Sequence, residues 1–195
     1  MARLQTAGYS VLELMFVSAL MVTMGGIAVP QALAALDEFR AAGAARYISA
    51  RLYRTRMEAV MRSTPVAVQF SQSTGGYRFS VFRDGNGNGV LTSDIRAGID
   101  PPLGVAESLR DNFNGIDFGT LPGLPPIDAG GTPPGDDPIR LGAGSLLTFT
   151  SHGSSSSGTV YIRGRFAQYA VRVFGDTGKS RILKFHNRTR RWSAA

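Results

Sequence analysis

Few side chains in this sequence are of a type and spacing that perform chemistry. There is no cysteine, and the two histidines, His152 and His186, are far apart with no other metal-ligating side chain beside them. A disulfide scaffold and a Cys-based zinc site are excluded, and a His-built metal site or catalytic triad has almost no raw material. Three groups remain. Asp84-Gly85-Asn86-Gly87-Asn88-Gly89 places oxygen ligands at alternate positions with a glycine at the sixth, the first half of a calcium loop. Position twelve is Ile95 instead of a bidentate acid, and Asp94 comes one residue early, so Asp84, Asn86, Asn88 and Asp94 would hold an ion along a different loop path. A polar hairpin tip, wanting Asn and Gly for positive φ, explains the same residues without a metal. The second group is Lys179, Arg181, Arg188, Arg190 and Arg191 with Trp192. Guanidinium groups grip phosphates bidentately and an indole stacks on an unpaired base, which together describe a DNA-binding surface. A charged edge strand followed by a frayed tail describes the same residues as a solubility device. The third is Glu13, set just inside an apolar run, where a carboxylate costs about 2.5–3.5 kcal/mol at mid-membrane and less near the interface.

Chemistry this sparse makes an enzyme the weaker expectation, and calcium is the one cofactor to consider. The 195 residues are 43% apolar with a formal charge of +7, which suits one modest domain plus extra segments. Mean hydropathy is near zero only because an apolar start offsets a polar, Gly/Pro-rich remainder. Charge is segregated too: residues 1–63 carry +3, residues 64–162 carry −4, and residues 163–195 carry +8. A terminal block of that sign draws polyanions or acidic surfaces.

The elements that must position these groups follow from periodicity. Leu14 to Leu36 contains no charged side chain and suffices to cross a hydrocarbon core that needs roughly 20 residues. The helical pattern continues through Ala41, Ala45, Ile48, Leu52, Ala59 and Val60, with arginines mostly on the other sides, until Ser63, Thr64 and Pro65 break it. From Val66 the period changes to two. Val66–Phe70 and Tyr77–Phe82 read as a hairpin around Ser73-Thr74-Gly75-Gly76, and Leu146–Thr150, Thr159–Ile162, Tyr169–Phe174 and Arg181–Phe185 read as further strands. Six short strands make a small, mostly antiparallel sheet for the amphipathic helix to cover, an α+β class. Residues 98–144 hold eight of the ten prolines and ten glycines, which predicts a surface excursion with strand pieces near Ile116–Phe118.

Three readings fit the N-terminus. A secretory signal would use the apolar run as its core and be cut after Ala32-Leu33-Ala34, and a plain membrane anchor would explain the length alone. Neither accounts for Glu13. Gly8-Tyr9-Ser10-Val11-Leu12-Glu13-Leu14-Met15, followed by an apolar helix with Pro30, resembles the type IV prepilin signature. That resemblance implies a leader of residues 1–8 removed by prepilin peptidase after Gly8, N-methylation of the new first residue Tyr9, and Glu13 as the conserved fifth-position glutamate of the class. A neighbouring subunit's α-amine would neutralise the buried carboxylate, so Glu13 would reward assembly in register.

The resemblance extends further along the chain. Arg56-Met57-Glu58-Ala59-Val60-Met61-Arg62, the strand from Val66, Phe149 to Gly153 before a Ser-rich turn, Gly158-Thr159-Val160 and Gly178-Lys179-Ser180-Arg181 are similar to landmarks of the GspH/FimT group of minor pilins and pseudopilins. It implies a membrane and filament-core helix over 9–36, an amphipathic continuation over 37–63 and a β-rich periplasmic head over 64–195. It also implies a non-enzymatic subunit of the bacterial inner membrane that joins other pilin or pseudopilin subunits in a type IV pilus or type II secretion filament. Some members carry a C-terminal Gly-Arg-x-Arg element linked to DNA uptake; here Lys179 replaces its first arginine, keeping charge but losing the planar fork. The alternatives are therefore a DNA-binding minor pilin and a conventionally secreted periplasmic protein.

Overall fold

The uncharged run and the amphipathic stripe both lie on one helix, α1 (Val11–Arg62), in a computed structural model that describes residues 8–142 and 145–195. Residues 1–7, with most of the expected leader, and residues 143–144 lie outside that description. The chain divides into two compact units between Leu36 and Asp37.

In the first unit the helix is uncharged from Leu14 onward, and its large side chains, among them Met15, Phe16, Met21, Val22 and Ile27, are exposed. Among the described residues α1 is the one helix long and apolar enough to cross a membrane.

In the second unit the stripe predicted from the sequence is the buried face: Ala41, Ala45, Ile48, Leu52 and Ala59 are covered, joined by Ala44 and Thr55. Val60, expected on that stripe, is 40% exposed: one residue on from Ala59 it is turned about 100° round the helix, to the margin of the covered face. The helix ends where expected. Ser63 takes a left-handed φ of 51°, Thr64 N–H reaches back to the carbonyl of Ala59 at 3.2 Å, and Pro65 prevents continuation.

Two antiparallel sheets receive the stripe, not the single sheet that six strands suggested. The first has the order β3-β2-β1-β6, built from β1 (Val66–Ser73), β2 (Gly76–Arg83), β3 (Glu107–Ser108) and β6 (Leu146–Phe149). The second runs β10-β9-β8-β7-β4, with β5 also paired to β7; its strands are β4 (Asp117–Phe118), β5 (Ile139–Arg140), β7 (Gly158–Arg163), β8 (Gln168–Phe174), β9 (Lys179–His186) and β10 (Arg191–Ala194). Period-two patterning gives each strand a buried face but does not say which sheet it joins.

The Gly/Pro-rich stretch is not confined to the surface. It carries α3 (Leu109–Asn112) and buries Leu109, Ile116, Phe118, Leu124 and Ile139. Phe118 pairs with β7 of the second sheet yet packs edge-on against Phe70 and Phe79 of the first, at 5.4 and 6.2 Å between ring centres. Prolines and glycines here frame single apolar anchors that an average over forty residues conceals. Gln168 fastens part of it: its buried amide donates to the carbonyls of Gly119, Ile162 and Tyr169, and its oxygen accepts from Leu121 N–H at 2.8 Å.

The C-terminus is also ordered. Arg191–Ala194 pairs antiparallel with Leu183–His186, so the expected frayed tail is an edge strand. A second, smaller core of Leu124, Tyr161, Ala170, Leu183 and Phe185 lies on the far face of this sheet, with Trp192 packed against it.

Candidate functional site

The N-terminal group is built on the first turn of α1. Ser10 Oγ accepts the backbone N–H of Glu13 at 3.2 Å, and a Glu13 carboxylate oxygen accepts the backbone N–H of Ser10 at 3.4 Å. This reciprocal pair is a capping box, readable in the sequence as Ser-x-x-Glu and missed beside the more conspicuous problem of a carboxylate in an apolar run. Among the described residues nothing lies within 4 Å of a β-carbon placed on Gly8, and Tyr9 is 86% exposed.

The four residues expected as calcium ligands do converge, but into a loop braced by its own hydrogen bonds. Asp84 is buried; one carboxylate oxygen accepts the N–H groups of Asn86 and Gly87 at 3.1 and 2.7 Å, and the other accepts Gly89 N–H at 2.8 Å. Asn86 and Asn88 donate their side-chain amides to Asp94 at 3.0 and 2.9 Å, and these bonds, with one from Ser93, hold the Asp94 carboxyl below its usual range. Asp100, which sequence reasoning passed over, is buried and accepts Gly85 N–H and Leu91 N–H at 2.9 and 3.0 Å. No group of three His, Cys, Asp or Glu side chains converges among the described residues. The segment opens the long loop of a hairpin: β2 and β3 are antiparallel neighbours, Phe82 bridges Pro102 at the base, α2 (Thr92–Ala97) lies within the loop, and Gly87 and Gly89 take the positive φ expected of them.

The basic C-terminal block is split. Lys179 and Arg181 stand at the start of β9, whereas Arg188, Arg190 and Arg191 lie in or beside the turn after its end. The strand carries Lys179 roughly 23 Å and Arg181 roughly 17 Å from His186, where the distal group begins. In the distal group Arg190 donates from its guanidinium to the carbonyl of Gly123 and lies 5.8 Å from the Phe185 ring centre. Trp192 is not an open stacking platform: its indole N–H donates to the carbonyl of Pro125 at 3.0 Å, and its ring packs on Phe185 and Tyr161 at 5.3 and 5.9 Å.

The proximal group acquires neighbours that sequence distance hid. Arg46, Tyr53 and Arg56 of α1 line one wall of a cleft of about 550 Å³, and Gly178, Lys179 and Ser180 line the other. Ser49 and Ser180 share a hydrogen bond across it at 2.7 Å. Arg56 spends its Nε–H on the carbonyl of Gly153 at 2.7 Å. Gly178, with φ 61°, is required there, since a β-carbon would meet that same carbonyl oxygen at 2.3 Å. Several expected landmarks thus meet in space: Arg56, Gly153 and the start of the Gly-Lys-Ser-Arg element form one junction between helix and sheet.

Comparison with known proteins covers this junction and most of the head. No curated protein matches the chain at a significant level. Two solved structures of the minor pseudopilin EpsH from the type 2 secretion system of Vibrio cholerae are similar, each at 15% identity and a TM-score of 0.45; they cover 74% of this chain and 97% and 94% of their own. The family model for the type II transport protein GspH matches residues 44–178, from the buried stripe of α1 through the cleft glycine. That match takes in well over half of the sequence, and the chain belongs to the GspH family.

Proposed function

We propose that this protein is a non-enzymatic minor pseudopilin or minor pilin, held in the bacterial inner membrane by α1 with its head in the periplasm, and then built into a filament. The observation that carries the reading is the arrangement at the helix start: Gly8 followed by an exposed Tyr9, a carboxylate at Glu13, and an uncharged helical run long enough to cross a bilayer. Prepilin peptidase cuts after Gly8 and Tyr9 is N-methylated. The new α-amine of one subunit neutralises Glu13 of the next as the helices pack. Mass spectrometry of the mature N-terminus tests this. A methylated Tyr9 start that is blocked by Gly8→Ala is expected, and a start at Ala35 would replace the reading with ordinary secretion.

A second reading adds DNA binding. It is favoured by the cleft that brings Arg46, Tyr53 and Lys179 together, a basic wall with an exposed aromatic ring. It moves the centre of the surface from the end of the chain to the helix–β9 junction.

A further inference from the structure

Asp37 is the first charged residue after the uncharged run Leu14–Leu36, and its carboxylate is filled by a distant turn. The backbone N–H groups of Arg165, Phe166 and Ala167 donate to it at 2.9, 2.8 and 3.0 Å. The turn, which joins β7 to β8, is closed by Gly164 N–H on the carbonyl of Ala167 at 2.9 Å. From the other side the amide of Asn187 donates to the carbonyl of Phe166 at 3.2 Å. Its main chain is thus tied down, while Phe166 remains 50% exposed and the Arg165 guanidinium lies 5.1 Å from the Phe166 ring centre. Arg188, next to Asn187, is exposed as well. The nearby acids are spoken for: Asp37 by the turn and Glu38 by Lys184. Neither Arg165 nor Arg188 has an ion-pair partner among the described residues.

A helix rises 1.5 Å per residue, so Leu14–Leu36 covers about 35 Å, slightly more than the roughly 30 Å hydrocarbon core. A run that spans the core delivers the next residue, Asp37, to the headgroup layer, and the turn bonded to Asp37 arrives with it. Covalent adjacency of Leu36 and Asp37 is all that this step requires.

We propose that the Gly164–Ala167 turn, with Arg188 beside it, is a lipid-headgroup contact. Phe166 rests at the boundary of acyl chains and headgroups, and Arg165 and Arg188 hold the phosphate of an anionic phospholipid in the bilayer that carries the chain's own helix. The contact fixes the height of the head on the membrane before assembly. It rests on the reading that α1 crosses the membrane.

The chain contains a single tryptophan, so an added one is read by difference against the wild type, with Trp192 as a fixed background. The full chain is reconstituted in phosphatidylcholine vesicles with and without phosphatidylglycerol, and quenching by brominated lipid and by aqueous acrylamide is measured for Phe166→Trp, Val22→Trp and Asp176→Trp. Val22 reports the span; Asp176 sits in the turn between β8 and β9, at the opposite end of the second sheet. With phosphatidylglycerol present, the tryptophan at 166 should be quenched by lipid and shielded from acrylamide, while that at 176 behaves as in water. Arg165→Glu with Arg188→Glu should weaken the contact roughly tenfold or more, and Arg165→Lys with Arg188→Lys should largely keep it. If position 22 is in lipid but 166 is as water-accessible as 176 in both compositions, the headgroup contact is overturned and the span stands. If position 22 is itself in water, the span fails and takes the contact with it. Shielding at 166 that appears only at high protein density, without lipid quenching, assigns the turn to a neighbouring subunit and overturns the proposal.

Discussion

A β-carbon on Gly164 would fall 2.5 Å from one carboxylate oxygen of Asp37 and 2.7 Å from the other, so the carboxylate occupies the space that a side chain would need. The two positions are coupled through shape as well as through the neighbouring hydrogen bonds. Asp37→Ala leaves three N–H groups without their acceptor and should cost about 1–3 kcal/mol, and Gly164→Ala should cost a similar amount by displacing the carboxylate. In the double variant the second loss largely disappears, giving a coupling of about 0.5–3 kcal/mol in urea unfolding of the full chain in detergent. Simple additivity would show that the two residues act separately.

Lys184 and Glu38 form an ion pair between β9 and α1. The hydrogen bond that Lys184 donates to the Glu38 carboxylate raises the Lys184 pKa above its ordinary value of 10.5. A raised folded-state value means that the pair's stability is fully present below that ordinary value and is lost as pH rises through the higher one. Glu38→Gln should therefore lower stability by a few tenths to about 1 kcal/mol at neutral pH, and the difference from wild type should vanish at strongly alkaline pH. Melting temperatures of both proteins across that range check it.

Glu13 caps the first turn of α1, and in the proposed function it also neutralises a neighbour's α-amine; a charge-neutral substitution separates the two. Gln completes a capping box as Glu does, but it cannot neutralise an α-amine. Glu13→Leu and Glu13→Gln should both insert in the membrane and both fail to enter filaments, as measured by shearing and immunoblotting. Normal incorporation of the Gln variant would assign Glu13 to the cap alone.

If the head binds DNA, the cleft and not the indole carries the aromatic contact. Tyr53→Ala should weaken single-stranded DNA binding by about 1–3 kcal/mol, whereas Trp192→Phe should not. With about four phosphates neutralised on duplex DNA, log affinity falls against log salt with a slope near −3.6, and Lys179→Ala with Arg46→Ala should flatten it by about two. Titration at several salt concentrations separates the cases; no binding at low salt leaves the basic block a solubility device.

What the sequence made legible was local. The helix with its stop at Ser63-Thr64-Pro65, the β1–β2 hairpin and the alternating strands all depend on residues within a few positions of one another. What it concealed was distance in space. Asp37 finds its partners 128 to 130 residues away, Ser49 meets Ser180 131 residues away, and no periodicity announces either. The reverse error arises at the C-terminus: Lys179 and Arg188 look adjacent in sequence, but an extended strand carries them to opposite ends of a sheet. Within the Gly/Pro-rich stretch the strand piece near Ile116–Phe118 was legible and is β4, whereas Leu124 and Ile139 were hidden by composition, since one anchor among prolines and glycines leaves no pattern.

The pairing of β1 with β6 places Val66 opposite Phe149, whereas β7 to β10 follow one another through short turns. Closing a loop of about eighty residues costs on the order of 4 kcal/mol of chain entropy that the successive hairpins never meet. The head therefore has a fast part and a slow seam: hairpins on either side form early, and the first sheet is completed only when β6 finds β1. Until then both strands present open edges. Exchange of β6 between two copies is the characteristic failure of such a seam, and conditions that crowd unfinished heads together will favour it.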